Sequence, residues 1–456
     1  MHRRDRVLWA LAVILSLALL TAPALWNGFP LLQWDTGGYL ARWYEGFLVV
    51  SRAAPYGLML TASAPFAFWP VMALQAGLTI WVLALVLRTH GFTNRPLLLL
   101  GIIAALSLLT TLPWLTSILL TDIYCGLAVL GLYLLLLRGD GLSRAEQAGL
   151  ILTIALGASM HSATFAVITA LMAPAVLVCR LAPRRLPKTR LWQGALALAL
   201  GAALVFAGNY VVAERLAWTP GGIPLSFGRM LQSGIVKKYL DAHCPDPHLK
   251  LCAYKDELPQ DADVWFWANP IFDKLGRFAG MNDEMERIAL GCLAEYPGLQ
   301  IKSAFDDTLR QLLAVHTGEG VLNVLWHTYG IIERFTPALA PAMHTARQQR
   351  GEISFTAINA VHYPLALLAM ALLPFIVLLA YLERLPLGLG ELAAGCALAL
   401  LANAFVCGVL ANPHDRYGAR VVWLASLVVA LAGVCLVERV FARTRWRAPA
   451  PEPLFY

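Results

Sequence analysis

The feature that most constrains this chain is a succession of apolar runs of roughly twenty residues, separated by short basic turns. A helix needs about 20 apolar residues to cross a bilayer. Within lipid, every backbone N–H and C=O must be paired inside the segment, which leaves helices and closed barrels as the spanning structures. The runs do not alternate polar and apolar residues, so they read as helices. Ten windows qualify: 7–25, 68–87, 96–113, 117–137, 145–159, 163–180, 191–213, 361–382, 390–411 and 418–439. Composition agrees. Of 456 residues, 59% are apolar and 14% charged, with a mean hydropathy of +0.64. These values exclude an ordinary soluble enzyme and a disordered chain. The expected fold is all-α: a polytopic transmembrane helical bundle of about ten helices, with interfacial helices and a mainly helical outer-face domain.

Charge sets the orientation. Residues 214–360 hold 17 of the 28 acidic residues, and the remainder of the chain holds 21 of the 35 basic ones. With the N-terminus inside, 17 of those 21 fall in cytoplasmic segments, Arg88, Arg95, Arg138, Arg144, Arg190, Arg384 and Arg447 among them. Only Arg42, Arg52, Arg416 and Arg420 fall outside. The positive-inside rule therefore predicts N-in and C-in. The basic balance is a matter of topology, and no nucleic-acid partner is expected. The first apolar run reads as a retained anchor. Three parts follow: a membrane module over 1–213 (about seven spans, first outer loop 26–67), an outer-face domain over 214–360, and a second membrane module over 361–456 (about three spans).

In the outer region, Met285, Ile288, Ala289 and Cys292 recur at helical spacing, and Trp265, Phe266 and Trp267 read as core. Cys244 and Cys252 lie where oxidising conditions favour a disulfide; the alternative is a metal site formed with His248, although the spacing fits no standard zinc pattern. Cys125, Cys179, Cys396, Cys407 and Cys435 sit in apolar runs and read as core. Asn209 and Asn403, deep in spans, read as interhelical hydrogen-bonding groups.

Chemistry concentrates at the outer surface. Asp35 follows the first span in Trp34-Asp35-Thr36-Gly37-Gly38. Tyr39, Trp43, Phe47 and Val50 then form a stripe that predicts an interfacial helix. Asp35 is either an acid–base group or, with Thr36, a helix cap. Asp122 opens the fourth span, where an ionisable side chain is costly; it is a functional acid, a cap or an interhelical bond. His161, between two spans, is a further polar candidate or a structural residue. The turn Asn412-Pro413-His414-Asp415-Arg416-Tyr417-Gly418-Ala419-Arg420 places Arg416 and Arg420 on one helical face. Two guanidinium groups there suit a phosphate. The alternative has them snorkelling to headgroups and pairing with Asp415. No Walker A loop, dinucleotide fingerprint, Gly-x-Ser-x-Gly elbow or His-Glu-x-x-His motif is present.

This layout resembles the GT-C class of membrane glycosyltransferases: an acid in the first outer loop (Asp35), a second acid in the next short outer loop (Asp122), a long outer segment after the seventh span (214–360), and a charged, tyrosine-bearing turn near the end (His414-Asp415-Arg416-Tyr417). It is also similar to bacterial multi-pass membrane proteins that imply no substrate. The resemblance implies a bacterial inner-membrane enzyme and a sugar donor on polyprenyl phosphate. Asp35 would be the general base, Asp122 would orient the acceptor or a cation, and Arg416 and Arg420 would hold the leaving phosphate, with His161, His414, Asp415 and Tyr417 around the substrate. The first loop has one acid where some members pair two, so a divalent cation stays open. The competing expectations are a transporter or flippase of lipid-linked saccharide, and a non-catalytic assembly protein.

Overall fold

In a computed structural model, which describes residues 3–219 and 222–445, every apolar window is largely helical. The N-terminal part comprises α1 (Arg3–Asn27), α2 (Trp34–Glu45), α3 (Ala54–Ser63), α4 (Trp69–Thr89), α5 (Pro96–Leu109), α6 (Leu112–Ser117), α7 (Asp122–Arg138), α8 (Arg144–Met160), α9 (Ser162–Leu181) and α10 (Lys188–Ala213). The middle part comprises α11 (Gly222–Gln232), α12 (Ile235–His243), α13 (Pro270–Lys274), α14 (Arg277–Glu295), α15 (Pro297–Leu313), α16 (Trp326–Phe335) and α17 (Ala340–His344). It closes with α18 (Thr356–Tyr381), α19 (Leu387–Leu410) and α20 (Asp415–Arg445). Arg447 lies outside the described residues.

Among the described residues, eight helices are long and apolar enough to cross a membrane: α1, α4, α7, α9, α10, α18, α19 and α20. The chain is thus an all-helical, multi-pass membrane protein. Two of the ten expected spans are shorter helices, α5 with 14 residues and α8 with 17. The bundle has an axis and a rim. The apolar window of α7 is 89% buried, against 22–28% for α1, α9, α10 and α18. α7 is therefore surrounded by protein, while the rim helices turn apolar side chains outward, as a lipid-facing ring must.

The helix ends segregate by charge. At the basic end, ion pairs join successive turns: Arg88 to Glu146 and Arg138 to Glu391, each at 2.7 Å, together with Arg95–Glu438 and Arg190–Asp140. The opposite end gathers the C-termini of α1, α5, α8, α10 and α19 and the N-termini of α7, α9, α18 and α20, and all the candidate chemistry is there.

The middle region does not form one domain. α11, α12 and α14 enclose their own core around Phe227, Trp265, Phe272, Met285, Ile288 and Cys292. Val315, Leu325, Ile331, Ile332 and Met343 instead join the main bundle core. Trp265 and Phe266 are buried as expected, whereas Trp267 is exposed. Cys244 and Cys252 form a disulfide. The thiolates that a metal site with His248 would need are therefore tied up in that bond. Cys125, Cys179, Cys396 and Cys407 are buried and Cys435 is half-buried.

Helix α2 departs from expectation. It stops at Glu45, where Gly46 takes a left-handed C-cap (φ 72°), so Phe47 and Val50 lie beyond it. Asp35 through Arg42 are buried, between α3 and α16. Of the apolar stripe, Tyr39 and Trp43 pack on α3, where Trp43 Nε1 donates to Ala54 O at 2.6 Å, whereas Phe47 is exposed; α16 covers another side of α2 through Trp34, Gly37 and Tyr44.

Candidate functional site

The site begins with an extended segment. Leu31 pairs with the chain before α7: its N–H donates to Ser117 O (2.9 Å), and its carbonyl accepts from Leu119 N–H (2.9 Å). Thr36 Oγ1 donates to Leu119 O at 3.0 Å. These bonds bring the loop carrying Asp35 beside the start of α7, which carries Asp122. Capping of α2 falls to other residues. Gln33 Oε1 accepts the Asp35 N–H (2.8 Å), and Thr36 Oγ1 accepts the Gln33 N–H (3.1 Å). The Asp35 carboxylate is left free for longer-range partners.

Those partners are guanidinium groups. Oδ1 pairs with Arg52, and Oδ2 accepts from Arg416 Nη2 at 2.8 Å. Burial works to raise this carboxyl, but Arg416 and then Arg52 outweigh it and hold it at about 2. Asp35 is fully ionised at neutral pH.

Arg420 lies one turn further along α20 and is fully buried. Its Nε and Nη2 both donate to Asn403 Oδ1 (2.9 and 2.7 Å), and its Nη1 donates to His161 Nδ1 (3.3 Å). Asn403 Nδ2 in turn donates to Tyr417 O at 2.7 Å. The Tyr417 ring takes both cations on its face, Arg416 at 4.9 Å and Arg420 at 5.7 Å from the centroid. His161 is driven well below its usual range, by burial first and then by Arg420 and Arg416; its ring is neutral and accepts from Arg420. Arg416 and Arg420 thus point into the bundle, and Asp415 is not their partner.

Asp122 is buried at the first turn of α7, with Arg416, Arg420 and Asp35 as its electrostatic neighbours. Its Oδ1 has no hydrogen-bond partner, and neither does Arg416 Nε. Thr121, not Asp122, is the N-cap residue of α7. The structure therefore brings together Asp35, Asp122, His161, Arg416, Tyr417 and Arg420.

His414 and Asp415 do a different job. A strap over residues 314–325 crosses the start of α20. It turns at Gly318 and Gly320, whose φ of 96° and 77° lie in the region glycine tolerates best. Glu319 on this strap accepts from His414 Nδ1 (2.8 Å) and from the Arg416 N–H (2.7 Å). Asp263 meets His414 Nε2 at 3.2 Å. Asp415 binds His316 through both its N–H and Nδ1, each at 2.8 Å. Burial would lower the His414 imidazole, but Asp263 and Glu319 raise it to about 9. His414 and Asp415 fasten the strap, while the arginines that follow face inward.

Arg52 and Glu319 are the members that sequence reading missed. A signal for Arg52 was present. The four basic residues breaking the positive-inside pattern, Arg42, Arg52, Arg416 and Arg420, are all buried or nearly so at this end. Arg42 donates to Asn209 Oδ1 (2.6 Å) and Val49 O (2.8 Å). Asn209 and Asn403 are thus acceptors for buried cations. Three guanidiniums, Arg52, Arg416 and Arg420, face the two carboxylates of Asp35 and Asp122, an excess of positive charge in a medium where charge is costly to bury.

No protein-family model matches the chain, and no curated protein or solved structure matches it either. The chemistry rests on the geometry. Among the described residues, no group of three or more His, Cys, Asp or Glu side chains is placed to share a metal ion. A cation here would have Asp35 and Asp122 as its carboxylates. Two cavities lie elsewhere. One of about 10 Å³, water-sized, lies behind the strap against Thr111, Thr317 and His362. The other, of about 220 Å³, is at the basic end beside His90 and Arg138.

Proposed function

We propose that the buried arginine cluster binds the phosphate of a polyprenyl-phosphate-linked sugar at the outer face of a bacterial inner membrane, and that the protein transfers the sugar to an acceptor as a GT-C-type glycosyltransferase. In this reading α5 and α8 also cross, giving ten spans with both termini cytoplasmic. The basic residues at the opposite end support that orientation.

The observation that carries the proposal is the excess of guanidinium around one displaceable carboxylate. An incoming phosphate competes with Asp35 for Arg416 and Arg52. Held between them, Asp35 is too weak a base to take a proton; once released, its affinity for a proton rises and it sits beside the bound donor. The acceptor oxygen attacks the anomeric carbon and its proton passes to Asp35. The C–O bond to phosphate breaks with its electron pair leaving on the phosphate, whose charge the arginines neutralise. Asp122, with an unbonded buried oxygen, is the group available to orient the acceptor hydroxyl. His161 and Tyr417 hold Arg420 and Arg416 in place. Membrane lipid surrounds the donor's tail.

The test is transfer of radiolabelled sugar from a panel of polyprenyl-phosphate donors by the purified protein in nanodiscs. Asp35→Asn is expected to abolish transfer while donor binding persists. Arg416→Ala is expected to weaken donor binding. Transfer by Asp35→Asn at the wild-type rate, or unchanged donor binding by Arg416→Ala, refutes the proposal. Movement of labelled lipid between leaflets without any acceptor, and no transfer, would identify a flippase instead.

A further inference from the structure

Helix α15 is amphipathic with its polar side turned inward. Gln300, Ser303, Asp307 and Gln311, spaced at three or four residues, are buried. Ile301, Phe305, Leu309 and Leu313, at intervals of four, are 73%, 64%, 45% and 55% exposed. A helix at a water-facing surface shows the reverse pattern.

The inward face is engaged by protein. Arg229 of α11, itself buried, donates to Ser303 Oγ (2.7 Å) and Gln300 Oε1 (2.6 Å) and lies 3.8 Å from Asp307. Gln311 grips the peptide at His414 from both sides, accepting its N–H (2.9 Å) and donating to its carbonyl (2.8 Å). Against α19, the Asp307 carbonyl passes so close to Gly408 that a Cβ there would lie 2.6 Å from it. α15 is therefore fitted to a membrane-crossing helix, and α19 carries exposed Leu398, Leu401 and Phe405 of its own.

We propose that α15 lies in the outer leaflet, with Ile301, Phe305, Leu309 and Leu313 against phospholipid acyl chains, as a membrane helix and not part of a water-facing domain. Three observations select lipid as the occupant. The polar face is covered by protein. The apolar face adjoins the lipid-facing side of α19. Lys302 and Arg310 stand on the exposed surface beside the apolar stripe, where long cationic side chains reach headgroups. One consequence concerns the site. Through Gln311, the helix seated in lipid also holds the turn from which Arg416 projects.

The experiment uses the full chain in nanodiscs, in a Cys435→Ser background, spin-labelled at Phe305→Cys and separately at Leu309→Cys and Leu313→Cys. Collision with oxygen and with a water-soluble nickel chelate is measured, and Asp256→Cys serves as the aqueous control. The expected result is several-fold higher oxygen than nickel accessibility at the α15 positions and the reverse at 256. Nickel accessibility equal to that at 256 overturns the proposal, since the face then meets water. Exclusion of both reagents also overturns it, since a protein surface then covers the face. Any one of the three positions suffices should another fail to fold.

Discussion

Replacing Asp35 by Asn tests the central electrostatic arrangement without reference to any substrate. The wild-type carboxyl is held at about 2, against an ordinary 3.8. At about 1.4 kcal/mol per pKa unit, the cage favours the ionised form by roughly 2.5 kcal/mol. Asparagine removes that contribution and leaves Arg52 and Arg416 without their carboxylate. Breaking a buried pair from one side costs about 3–5 kcal/mol. The two arginine side chains are 17% and 14% exposed, which puts the expected loss at the lower end, about 3 kcal/mol. Thermal unfolding in nanodiscs at pH 7 should show Tm falling by about 3 °C. The same substitution vacates an anion seat. Inorganic phosphate at a hundred times its Kd should return about 2.7 kcal/mol to the variant and little to the wild type, whose own carboxylate occupies the seat. The pH dependence follows from the lowered value: Asp35 contributes fully above about pH 4, and its contribution is lost as pH falls toward 2. A variant as stable as the wild type, or equal stabilisation of both by phosphate, would refute the reasoning.

Other outcomes follow from the same geometry. His414, raised from 6.5 to about 9, stabilises the strap fully below about pH 6.5 and loses that contribution as pH rises through 9; protease sensitivity of 314–325 should climb over this window in the wild type and be flat in His414→Ala. Gly418→Ala drives a methyl group into the Ala314 carbonyl. It should cost about 1–3 kcal/mol, read as lower Tm with the strap exchanging amide hydrogen faster. Replacing both Cys244 and Cys252 by Ser removes a cross-link between residues eight apart, worth about 2.5 kcal/mol on loop-closure grounds. Hydrogen exchange should rise in α11–α14, which has its own core, and stay unchanged at Asp122 and Arg420.

The linear sequence determined the membrane class, because an apolar run long enough to cross lipid needs no tertiary partner to be recognised. It also marked the four arginines that violate the charge bias, and the cysteine pair, since both signals lie in residue type and local spacing. Pairing was decided by the fold alone. Asp35 and Arg416 come from opposite ends of the chain, and only the juxtaposition of α2, α7 and α20 gives the carboxylate two cations instead of a capping role. The same holds for α2 and α15. A stripe of apolar residues specifies that one face is covered, but water, lipid and protein leave the same stripe. What covers it depends on the neighbours: α3 closes over the Tyr39 and Trp43 side of α2, and α19 turns the polar side of α15 inward.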